Sequence, residues 1–175
     1  MTVLGALYRV RQFTLALGAH FAGDGADHLE TCLGEPQLQL YRQMSSMDQR
    51  HCLATYRALR DGGHADPSLL CAALLHDAGK TLGPVRIWHR VGAVLARALA
   101  PGLWVPARGT PGSLLYPWYV HRQHAALGAE LARQAGSSSE VVWLVAHHED
   151  QTPAVDGDQR MNRLLAALQA ADRVN

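Results

Sequence analysis

Seven apolar residues, Leu69 to Leu75, run without interruption into His76-Asp77, with Gly79 and Lys80 close behind. A helix that is apolar all round has no face to offer water, so the rest of the chain must enclose it. Asp66 is placed to cap the helix and Pro67 to occupy its first turn. Gly79 reads as the stop, so the sequence predicts a buried helix over Pro67–Ala78. That helix ends in an imidazole, a carboxylate and an ammonium, groups almost never buried without partners. Two readings are open on this stretch alone: a metal site, or a capped helix end with a polar tail.

Lys80 adds weight to the first. It is the single lysine among 16 basic residues, the other 15 being arginine. A compact ammonium beside a His-Asp pair points to a role that the wide guanidinium fork does not fill.

The remaining elements follow from periodicity and breakers. Val3–Phe21 reads as a helix and Gly23–Gly34 as a Gly- and Asp-rich loop. Pro36 opens a second helix, running to about Arg60 with a break near Ser45-Ser46. Pro84 precedes a helix over Val85–Ala100. The stretch from Pro101 to Pro117 holds four prolines and three glycines and reads as one long loop, a candidate lid. Trp118–Ala135 is helical. Ser137 to Glu140 fits a capping box ahead of the helix carrying His147-His148-Glu149. Thr152–Asp158 reads as a turn-rich loop and Met161–Val174 as the last helix. No β-alternation appears. The expected fold is all-α, a compact bundle of about seven helices. The 175 residues are expected to form one domain, with residues 1–34 as an N-terminal helix and loop extension.

Ten histidines are in excess for this length, and the candidate ligands fall on separate helices. They are His51, His76, Asp77, the pair His121 and His124 on one helical face, the adjacent His147 and His148, and Asp172 inside an apolar run. Imidazole and carboxylate without thiolate suit Mn, Fe, Zn, Co or Ni. More than four candidates point to two ions, and an Asp can bridge a pair ~3.5–4 Å apart.

The order His51, His76-Asp77, Asp172 resembles the HD-domain superfamily of metal-dependent phosphohydrolases, over roughly residues 48–175. HDAGK (His76–Lys80) resembles the HD-x-G-K form of its binuclear branch. His124 to Gly128 is similar to that branch's H-x-x-x-G, and His147-His148-Glu149 to its HHE. Together they resemble the HD-GYP proteins, although this chain reads DQTPAV where the GYP signature would follow. The resemblance implies an HD-domain-like bundle holding two divalent ions, Mn, Fe or another transition metal. His51, His76, Asp77 and Asp172 would hold the first ion, and Asp77 would bridge. His124, His147 and His148 would complete the second. Lys80 and Asp77 would be the catalytic pair, Lys80 contacting a substrate phosphate or the attacking hydroxide.

Other residues have plainer readings. His121 lies outside the motif and is read as a non-ligand. Gly128 is expected to let another backbone approach. Glu149 either orients a ligand from behind or faces water. Arg50, Arg122 and Arg173 adjoin proposed ligands and either clamp phosphate or stay exposed. Asp48 is read as a surface residue, and Trp88, His89, Trp104, Trp118 and Tyr119 as packing.

The expected activity is hydrolysis of a small phosphate ester or nucleotide by metal-activated hydroxide. The alternatives are a diiron HD-domain oxygenase and a non-catalytic regulatory module. The net charge of +1 without a basic block argues against a nucleic-acid polymer as partner. No apolar run reaches the ~18 residues of a membrane span. The three cysteines, Cys32, Cys52 and Cys71, form no C-x-x-C pair and read as reduced core thiols of a cytoplasmic protein.

Overall fold

The computed structural model describes residues 26–83, 116–150, 153–154 and 157–175. Seven α-helices and one 3-10 turn are found there, and no strand among the described residues, so the fold is the all-α bundle expected. The helices are α1 (Ala26–Cys32), α2 (Glu35–Gln43), α3 (Ser46–Asp61), α4 (Pro67–Leu75), α5 (Tyr116–Gln134), α6 (Ser139–His147) and α7 (Gln159–Val174), with the 3-10 turn Ala78–Leu82 after α4. The expected helices Val3–Phe21 and Val85–Ala100 lie outside the described residues, as do Trp88, His89, Trp104 and the 101–117 loop up to residue 115. Tyr116 and Pro117, expected as the end of that loop, form the first turn of α5.

The apolar run is the centre of the bundle. Every residue from Leu69 to Leu75 is buried, and α4 is packed by α1, α2, α3, α6 and α7. Asp66 caps it, one carboxylate oxygen accepting from the amides of Ser68 at 3.0 Å and Leu69 at 3.1 Å. The helix ends at Leu75, three residues before the expected Ala78, because the chain tightens at His76 and Asp77 into the 3-10 turn. Gly79 is therefore not the stop. It is buried inside the turn, where a Cβ would run into the His124 carbonyl of α5 and stand 2.7 Å from the Gly128 nitrogen.

Other boundaries shift for local reasons. The break near Ser45-Ser46 separates α2 from α3, and Ser45 caps α3 by accepting from the Asp48 amide at 3.2 Å. Asp48 is not a surface residue. It is 8% exposed, and its carboxylate accepts from the Ser45 hydroxyl at 2.5 Å. The supposed loop Gly23–Gly34 contains α1, formed because Leu29 and Cys32 reach the core. The cap of α6 is Ser138, one residue beyond the expected Ser137, its hydroxyl accepting from the Val141 amide.

Glu140 does not close a capping box. It accepts from Ser68 at 2.7 Å and from Arg160 at 2.6 Å, and Arg160 also reaches Asp66 at 2.7 Å. The starts of α4, α6 and α7 are thus tied together at one end of the bundle. Their C-terminal ends, carrying His76, His148 and Asp172, meet at the other. Among the described residues no helix is long and apolar enough to cross a membrane.

Candidate metal centre

Four imidazoles converge at that end. The Nε2 atoms of His51 and His76 lie 3.3 Å apart, and those of His124 and His148 lie 3.2 Å apart. Asp77 stands between the two pairs. Its Oδ2 is 3.9 Å from the Nε2 of both His51 and His76, and its Oδ1 is 3.4 Å from that of His124. Asp172 Oδ1 closes the first pair, 2.7 Å from His51 Nε2 and 3.3 Å from His76 Nε2. Two groups that could each hold a metal ion result, His51–His76–Asp77 and Asp77–His124–His148, and they share Asp77.

The backbone sets the tautomers. The Nδ1 of His76 donates to the Ala73 carbonyl at 2.9 Å, that of His124 to His121 at 2.7 Å, and that of His148 to Val145 at 2.8 Å. With Nδ1 carrying the proton, each neutral ring turns the lone pair of Nε2 into the cluster. Two lone pairs 3.2 Å apart repel, and a cation between them removes the repulsion. Two donors each ~2.1 Å from one ion stand roughly 3–3.8 Å apart at ordinary angles, which is the spacing found here. The donor set fits a pair of divalent ions of borderline hardness.

The buried carboxylates draw compensating positive charge from the side chains around them, and an ion binding at His76 would displace that ring's second proton. Burial works against ionised Asp77, yet His76, His124 and Lys80 hold its carboxyl well below the ordinary range. Burial likewise opposes charge on His76, but Cys52, Asp77 and Asp172 around it raise its pKa well above 6.5. Burial and the neighbouring His76 push His148 down to about 3. Asp172 is half-buried, and its histidine partners outweigh desolvation and lower its pKa.

Lys80 is in place beside these groups, its ammonium 2.5 Å from Asp77 Oδ2. His147 is not among them. Its Nδ1 donates to the Trp143 carbonyl at 2.8 Å, its ring stacks on Trp143 with centroids 4.3 Å apart, and its Nε2 is 4.0 Å from Asp150. The expectation that it completes the second group therefore gives way to a position outside both groups. His121 is exposed, stacked parallel to His124 at 5.9 Å, and also outside both. Arg50 and Arg122 are exposed. Trp118 and Tyr119 are half-buried on α5.

Three residues matter more than the sequence reading allowed. Gln169 is 5% exposed and donates to the carbonyls of His148 at 3.1 Å and Asp150 at 2.7 Å. It thereby satisfies backbone acceptors at the end of α6 and holds His148 in place. The signal was a lone polar residue inside an apolar run, three before Asp172. Buried Cys52 sits 3.7 Å from His76 Nδ1, behind the ring. Glu149, weighed as a ligand-orienting or solvent-facing residue, lies 3.7 Å from His124 Nε2. A cavity of about 370 Å³ opens beside the cluster, lined by His148, Glu149, Asp150, Gln169, Asp172 and Arg173.

The HD domain family model matches residues 49–175, a span that holds every residue of the cluster. No curated protein and no solved structure matches the chain.

Proposed function

The chain belongs to the HD domain family, and from that premise we propose a metal-dependent phosphohydrolase that acts on a small phosphate ester or a nucleotide. The observation that carries the reading is the division of Asp77, one oxygen toward His51 and His76 and the other toward His124. A carboxylate so placed serves as the shared anion of a two-ion centre. Divalent ions there would polarise phosphoryl oxygens and acidify a water toward a pKa of ~7.

The protein's own groups support the rest. The carbonyls of Ala73, His121 and Val145 keep three rings in the tautomer that presents Nε2. Lys80 places a positive charge at the edge of the cluster, where it would offset charge growing on phosphoryl oxygens. Arg173 is exposed at the neighbouring cavity and suits a substrate anion. The cavity is of the size that admits a small molecule. A net charge of +1 speaks for a small substrate over a nucleic-acid polymer.

The test is to strip the purified protein with a chelator, reload it with Mn²⁺ or Fe²⁺, and count the ions. A panel of nucleotides and phosphomonoesters is then screened for phosphate release. Two equivalents and metal-dependent release are expected. Oxygen uptake by the iron form, with no phosphate released from any substrate, would replace this reading with the diiron oxygenase.

A further inference from the structure

The two halves of the cluster are not equally supplied with charge. The first pair, His51 and His76, has its own terminal carboxylate in Asp172, 2.7 and 3.3 Å from the two Nε2 atoms. Among the described residues, the group formed by His124 and His148 takes in one carboxylate, the shared Asp77. Two divalent ions carry four positive charges against the two of Asp77 and Asp172, and the deficit falls on the second ion.

Glu149 stands where that deficit lies. It directly follows His148 at the end of α6, and its Oε1 is 3.7 Å from His124 Nε2. That separation is within the roughly 3–3.8 Å expected for two donors on one ion. Its side chain is 53% exposed, so it is not fixed by packing, and it borders the same cavity as His148 and Asp172. The adjacent His147, by contrast, is engaged with Trp143 and Asp150.

We propose that Glu149 is the terminal carboxylate ligand of the second ion, the counterpart of Asp172 at the first. Each ion would then have two imidazoles, one carboxylate of its own and one oxygen of Asp77. The inference rests on the centre holding two ions.

The experiment is a Mn²⁺ titration of the full chain, followed by calorimetry and electron paramagnetic resonance. It compares the unaltered protein with Glu149→Gln and Asp150→Asn. Asp150 lines the same cavity and carries the same charge, but its carboxylate lies 4.0 Å from His147, which is outside both groups. The unaltered protein takes up two equivalents with a spin-coupled signal. Glu149→Gln keeps the first, binds the second about tenfold more weakly or worse, and loses the coupled signal, while Asp150→Asn titrates like the unaltered protein. Thermal melting of the metal-free variants shows that both are folded. Undiminished second-site affinity in Glu149→Gln overturns the inference, as does an equal loss in Asp150→Asn, which would make the effect one of bulk charge. Uptake of a single equivalent by the unaltered protein removes the two-ion reading itself, whatever the variants do.

Discussion

Gly79 and Gly128 meet backbone to backbone. A Cβ on Gly128 would stand 3.0 Å from the Gly79 nitrogen, and one on Gly79 would stand 2.7 Å from the Gly128 nitrogen and strike the His124 carbonyl. This contact seats the 3-10 turn directly against α5. It is the reason Asp77, two residues before Gly79, lies within 3.4 Å of His124, four residues before Gly128. The missing side chains at the two glycines set the distance across the second ligand group.

Gly79→Ala should therefore damage both fold and site. Its obstruction is backbone, which cannot step aside, and overpacking typically costs ~1–3 kcal/mol or more. Gly128→Ala should be milder, because its Cβ would come no closer to backbone than 3.0 Å, at the Gly79 nitrogen, and the Val145 side chain at 3.3 Å can shift. Urea unfolding of both variants, with metal uptake, checks the order. A Gly79→Ala protein as stable as the unaltered one, with full uptake, would refute this account of the contact.

Asp77→Asn should release both ions, or leave one weakly held, and abolish turnover. The amide keeps the shape but presents one acceptor where the carboxylate offers an oxygen to each histidine pair. His124→Gln should spare the first ion, since that ring faces only the second group. Metal titrations of the two variants compare directly. Retention of both ions by Asp77→Asn at near-original affinity would rule out a bridging role.

Lys80→Ala should keep the ions and lose activity. The ammonium sits 2.5 Å from Asp77 Oδ2, where it competes with a cation for that oxygen, so its removal should leave metal affinity equal or tighter. Turnover should fall roughly a hundredfold if the charge acts on the transition state. Metal loss, or an unchanged kcat, would contradict the assignment.

Stability should fall in alkali through Cys71. Burial first, and Cys32 second, push this thiol from 9.0 up to about 12. The folded state then holds a proton that the unfolded chain releases, so the contribution is whole below pH 9 and is lost as pH rises toward 12. The slope per thiol is about 1.4 kcal/mol per pH unit in that window. Cys71→Ala should flatten the fall between pH 9 and 10.5 by about one proton's worth, measured by urea unfolding at each pH. An unchanged slope would show that Cys71 ionises as freely in the fold as outside it.

What the chain declares in its own order is local. The apolar run Leu69–Leu75 required burial and became the centre of the bundle, because seven consecutive side chains without a polar face leave no solvent side. The Asp66 cap and the break at Ser45 were legible for the same reason, since capping acts within three residues. The chemistry of the site was legible too, in its histidines, its carboxylates and its lone lysine. Which of those side chains meet was decided only by the packing of helices distant in sequence. Asp48 went inside because Ser45 could answer its carboxylate, and Gly79 became a contact surface once α5 lay across it. His147 and His148 make the point most sharply. Adjacent residues on a helix point about 100° apart, so α6 can aim only one of them at His124. The rotation of α6 in the bundle, with Gln169 holding the His148 carbonyl and Trp143 stacked on His147, selects His148.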